Sequence, residues 1–113
     1  MKRWIGVAAV VAVAGTGAAV AQVRTNISTN IAPRNHSAEV CKSRGKSVAL
    51  ALDMTSGGDA LSTWMVRPGS TVTTVIRCDL PQYVVIITAA AEGTSPTPQN
   101  NEVVAMYNRI GGN

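Results

Sequence analysis

The 113-residue chain contains no Phe, and Trp and Tyr bring its aromatic content to only 4%. A core built from it must be aliphatic. Sugar and nucleic-acid sites use aromatic platforms and would have little to draw on here. Histidine is almost as scarce, since His36 stands alone. With two cysteines and no Cys-x-x-Cys spacing, that argues against a zinc site of three or four ligands. Charged residues make up 14% of the chain against 46% apolar, which excludes disorder as the default state. A chain of this length is one small domain.

What is present begins with an export pattern. Met1-Lys2-Arg3 is a positive start, residues 4–14 form an Ala/Val-rich run, and Gly15-Thr16-Gly17 interrupts it. Ala19-Val20-Ala21 then offers the small-x-small site that signal peptidase reads. Residues 1–21 are therefore expected to be a cleavable signal peptide. The competing reading is an uncleaved anchor over residues 4–21, at the short limit for spanning a bilayer and poor in Leu. Cleavage after Ala21 leaves 92 residues, with eight basic against six acidic side chains and a charge of +2. The formal charge of +4 and the pI near 9.6 thus owe much to the leader. No nucleic-acid partner is expected from such a balance. The mature protein is expected in the periplasm or secreted, with no membrane span after cleavage.

Export decides how the cysteines read. In an oxidising compartment Cys41 and Cys78 are expected to form a disulfide. In the chain-entropy account, a loop of that size contributes about 4 kcal/mol.

Beyond the leader, residues 22–37 read as an extended N-terminal arm, polar and Asn/Thr-rich, able to pair at a sheet edge. Residues 38–113 read as the folded domain. A short strand is expected at 39–41. In 47–54, Val48, Leu50, Leu52 and Met54 alternate with smaller or polar residues, the period of a half-buried strand. Thr55-Ser56-Gly57-Gly58-Asp59 reads as a turn. Residues 61–67 follow as a strand with Trp64 on its core face, and Pro68-Gly69 as a tight turn. Residues 70–78 are β-branched almost throughout, with Val72, Thr74, Ile76 and Cys78 on one face. Residues 83–91 are nearly continuous apolar and read as a central strand buried on both faces. Residues 92–101, with two prolines, read as a loop. Residues 103–110 read as a last strand, although Glu102, Val103, Met106 and Ile110 also fit a helical spacing. The expectation is an all-β fold, a small antiparallel β-sandwich or barrel of about six strands.

The chemistry-bearing residues are few. A minimal secreted hydrolase or toxin-like effector would use His36 as base with Asp53 or Asp59, yet no nucleophile elbow accompanies them. Asp53 and Asp59 flank a Gly-containing loop but lack the EF-hand spacing for calcium. Ser43-Arg44-Gly45-Lys46-Ser47 imitates the end of a phosphate-binding loop, whose earlier Gly is replaced by Val40. Arg34, Lys42, Arg44 and Lys46 form the one basic cluster. On an extended chain the last three share a face and make a candidate contact surface, which equally fits a charge-protected strand edge. No cofactor and no catalytic or metal-binding residue is assigned. The function expected from these residues is a non-enzymatic binding or structural module whose partner is another protein or an envelope component.

Overall fold

A computed structural model describes residues 25–111; the expected signal peptide at 1–21 lies outside them. Five strands and two helices follow in the order β1 (Thr25–Pro33), α1 (Ala38–Ala51), β2 (Thr55–Gly58), β3 (Ser62–Val66), β4 (Thr73–Arg77), β5 (Tyr83–Ala91) and α2 (Thr97–Ile110). The strands make one sheet in the order β1-β5-β4-β3-β2, antiparallel throughout. Both helices lie on one face. The fold is mostly β but not all-β: one sheet backed by helices, and the second sheet expected of a sandwich is replaced by α1 and α2.

The first correction is α1, where strands were expected at 39–41 and within 47–54. The Ser37 hydroxyl caps its start by accepting from the Val40 N–H at 3.1 Å, and Glu39 lies in the first turn, where the helix dipole favours negative charge. Cys41, Gly45, Val48 and Ala49 are buried at helical spacing, while Leu50 is 78% exposed. The alternation of Val48, Leu50, Leu52 and Met54 was thus a coincidence of period. Ala and Leu are strong helix formers, and the run has a single β-branched residue, which favours the helix.

The helix ends in a Schellman motif. Asp53 takes φ 55°, its N–H donates to Leu50 O, and the Met54 N–H donates to Ala49 O. Met54 returns to the core beside Ala49.

The second correction is α2, where a loop at 92–101 and a strand at 103–110 were expected. Pro96 and Pro98 stand at the start of this helix, where a missing N–H costs no hydrogen bond. Gln99, Asn100, Val103 and Tyr107 form its buried stripe. The third is β2: Thr55–Gly58, expected as a turn, pairs with β3 as a short edge strand. The Trp64 ring lies over Gly57, so close that a Cβ there would stand 2.6 Å from Cζ2. Tertiary pairing overrides the turn propensity of this Gly-rich segment.

Other expectations hold. Residues within 61–67, 70–78 and 83–91 form β3, β4 and β5, and Thr74, Ile76 and Cys78 are fully buried on one face. The Ser70 N–H donates to Arg67 O across Pro68-Gly69, with Gly69 at φ 78°. Cys41 of α1 and Cys78 after β4 are joined, their Cα atoms 5.8 Å apart. Around that bond, Val48, Met65, Ile76, Val84, Ile86 and Val103 close an aliphatic core between helices and sheet.

Trp64 is not part of that core. Thr63 and Met65 are the β3 residues that face the helices, and Trp64 lies on the opposite face, 39% exposed. Gly45 lets α1 approach so closely that a Cβ there would sit 3.1 Å from the Thr63 hydroxyl.

Candidate functional site

Two surfaces carry features beyond folding. The first is a cavity of about 340 Å³ between the end of β1 and the second half of α2. Val84, Ile86 and Val104 supply its apolar floor, and Asn30, Asn35, His36 and Asn108 its polar rim. The Tyr107 hydroxyl lies 2.8 Å from His36 Nε2, and His36 Nδ1 lies 3.3 Å from Asn35 Oδ1. Burial lowers the His36 pKa below its usual 6.5, and the nearby Arg44 and Arg34 lower it further. The ring is neutral at pH 7 and accepts from Tyr107 at Nε2 if Nδ1 holds the proton. Burial raises the Tyr107 pKa, against the opposing pull of Arg44. The Arg44 guanidinium sits 5.2 Å from the centroid of the Tyr107 ring, a cation–π contact that ties α1 to α2. Arg34 is committed elsewhere, donating to Leu80 O, Pro81 O and His36 O.

A buried polar chain runs from this cavity beneath α2. Asn30 donates to Asn100, whose amide reaches Ser28 O, Ile86 O and Thr88 Oγ1. The Thr88 hydroxyl meets Thr74 at 2.7 Å, and Gln99 donates to Thr74 and to Val72 O. Asn100 is fully buried, so this chain holds α2 to the sheet with its polar atoms satisfied.

The second surface is the sheet face turned away from the helices. The paired positions Thr29, Ile87, Val75, Trp64 and Gly57 cross it from edge to edge, flanked by Ile31, Val85 and Arg77 on one side and by Ile27, Ala89, Thr73 and Val66 on the other. Ile27, Ile31, Trp64 and Tyr83 are exposed there, while Ile87 and Val75 are half-buried. No described residue covers this face. Residues 83–91, expected to be buried on both sides, are buried throughout the helix side, while on the other side Val85 is buried, Ile87 and Ala89 are half-buried and Tyr83 is exposed.

The residues singled out from sequence are dispersed. Asp53 lies beyond the C-terminal end of α1 and His36 before its start, so a helix about 21 Å long separates them. Asp59 closes the β2–β3 turn, its carboxylate accepting from the Leu61 and Ser62 N–H groups and the Ser62 hydroxyl, which lowers its pKa. The structure brings neither carboxylate to His36. Among the described residues there is no group of three or more potential metal ligands.

The shared face expected of Lys42, Arg44 and Lys46 is undone by helical geometry. Positions 42 and 46 are one turn apart, and Arg44 points across to Tyr107. Lys42 instead lies near Asp59 and helps to lower its pKa. Tyr107, Asn108 and Asn100 drew no attention as a site in the sequence, because the segment holding them read as loop and strand; the competing helical spacing was the available signal. Family models, curated proteins and solved structures contain no match to this chain.

Proposed function

We propose that the protein is an exported, non-enzymatic binding module that captures another protein or an envelope component on the uncovered face of its sheet. The observation that carries this reading is the composition of that face: Trp64 on β3 and Val75 on the central strand β4, with Ile87 and Tyr83 on β5 and Ile27 and Ile31 on β1. A contiguous apolar surface on a small soluble domain is costly to leave in water and marks a contact site. Trp is among the residues that dominate binding energy at interfaces. The bond from Cys41 of α1 to Cys78 after β4 braces the sheet behind this surface.

Export is supported by the N-terminal sequence pattern and by the joined Cys41 and Cys78. Among the described residues no helix is long and apolar enough to cross a membrane. The sheet face, and not the basic segment of α1, is the preferred contact because Lys42 and Arg44 already face groups of this chain.

The test is capture of a discrete component from envelope extract by the immobilised protein. Trp64→Lys and Val75→Lys should abolish capture while leaving the fold intact by circular dichroism, and Lys42→Glu with Lys46→Glu should leave capture unchanged. Capture that survives both sheet-face substitutions overturns the reading.

A further inference from the structure

We infer that β1 is a docking edge for a second copy of this chain, the two β1 strands pairing antiparallel about a two-fold axis at Thr29. The inference concerns the sheet edge and does not depend on the partner proposed for the sheet face.

Four observations carry it. First, β1 bonds to β5 on one side only, and no described strand occupies its other side. Second, that open edge is long and undefended. Thr25–Pro33 spans nine residues without a charged side chain. The opposite edge, β2, has four residues, two of them Gly, and lies between Asp53 and Asp59. Sheet edges exposed to water are ordinarily kept short or interrupted by charge or Pro. Only β2 meets that expectation, with Pro33 at the very end of β1.

Third, the outward backbone groups can be assigned. The Arg34 N–H donates to Gln82 O at 2.8 Å, which makes positions 34 and 82 a hydrogen-bonded pair. Bonded pairs alternate along an antiparallel ladder, so even-numbered β1 residues bond inward. The Asn100 amide agrees, since it meets Ser28 O and Ile86 O together at the seam between β1 and β5. The N–H and C=O groups of Thr25, Ile27, Thr29 and Ile31 therefore point outward. Pro33, which has no N–H, falls on the outward side, where a strand tolerates it.

Fourth, the edge is self-complementary. Ile27 and Ile31 stand two residues either side of Thr29 on the face away from the helices, 64% and 65% exposed. Pairing Thr29 with its symmetry mate sets Ile27 opposite Ile31 of the second copy, and the reverse. Outward positions then meet outward positions, so the new ladder forfeits only the bonds that Pro33 cannot donate. Four Ile side chains come together on one face, at cross-strand contact distance. The axis is perpendicular to the sheet, so the helices of both copies fall on one side and the apolar faces join on the other. A two-fold, same-patch contact is the commonest form of self-association.

The experiment is sedimentation equilibrium of the disulfide-bonded protein from micromolar to millimolar concentration. Self-association to twice the monomer mass is expected. Thr29→Pro, which removes only an outward N–H, and Ile27→Lys with Ile31→Lys should each leave the monomer mass with the fold retained by circular dichroism. Should either variant fail to fold, cross-linking decides: Thr29→Cys should give an oxidised dimer on a non-reducing gel, because a bonded pair brings its Cα atoms to about 5.5 Å. Ile27→Cys, which faces Ile31 and not itself, should not. A wild-type protein that stays monomeric, a dimer indifferent to the edge substitutions, or equal cross-linking at both positions would overturn the inference. Loss of the dimer on Thr29→Pro, which changes no side chain named in the capture surface, with envelope capture intact would leave the edge and the sheet face as separate sites.

Discussion

The Tyr107 hydroxyl near the end of α2 lies 2.8 Å from Nε2 of His36, in the link between β1 and α1. One hydrogen bond thus joins the β1–α1 link to α2. It forms with the neutral imidazole, which burial and the flanking Arg44 and Arg34 favour over the cation.

Acid should therefore weaken the fold at this contact. A histidine whose folded pKa is lowered contributes stability that is present above its unfolded value of 6.5 and is lost as pH falls through the folded one. Thermal melts are expected to show a midpoint that drops as pH is taken down from neutrality, with a shallower drop in His36→Gln. Equal slopes in the two proteins would contradict this assignment. Tyr107→Phe should cost about 1 kcal/mol at neutral pH, the usual worth of one such bond.

Asp53 is a helix terminator held at φ 55°. Glycine adopts that conformation without strain. Asp53→Gly is expected to raise stability by about 1 kcal/mol in denaturant unfolding, and Asp53→Val, β-branched at a left-handed position, to lower it by more than that. A loss on Asp53→Gly would show that the carboxylate has a role beyond the cap.

Thr63 carries the buried hydroxyl for which the described residues provide no hydrogen-bond partner. It faces Gly45 of α1 at close range. Valine has nearly the same shape and needs no partner. Thr63→Val should be neutral or stabilising by up to about 1 kcal/mol, whereas Gly45→Val, forced into the same contact, should be destabilising. Unfolding curves of the two variants read the difference directly.

The bond between Cys41 and Cys78 spans 37 positions and ties α1 to the end of β4. Replacing both by Ala should cost about 4 kcal/mol in the chain-entropy account. That is a large share of the roughly 5–15 kcal/mol typical of whole domains. Wild type under reducing conditions should show a comparable fall in its unfolding midpoint.

Residues 70–78 and 83–91 were legible as strands because β-branched runs resist helix formation wherever they occur. The Pro68-Gly69 turn was legible because its backbone angles are a property of those two residues. The cysteine pairing followed from a count of two and the absence of a Cys-x-x-Cys spacing. Each is a local or compositional fact, and the sequence by itself determined it.

Tertiary structure decided the rest. Residues 47–54 alternate like a strand and also continue a helical stripe through Cys41, Gly45 and Val48; the Ser37 cap favours the helix locally, and the close approach of Gly45 to Thr63 lets that stripe pack on the sheet. Trp64 and Met65 are both suited to a core, and which of them enters it depends on the face that α1 and α2 cover. The site residues follow the same rule. Asn30, His36, Arg44 and Tyr107 lie on β1, the link after it, α1 and α2, and no pattern within one segment announces a meeting among four. Period and composition act over a few residues, whereas burial is set by whatever element folds on top.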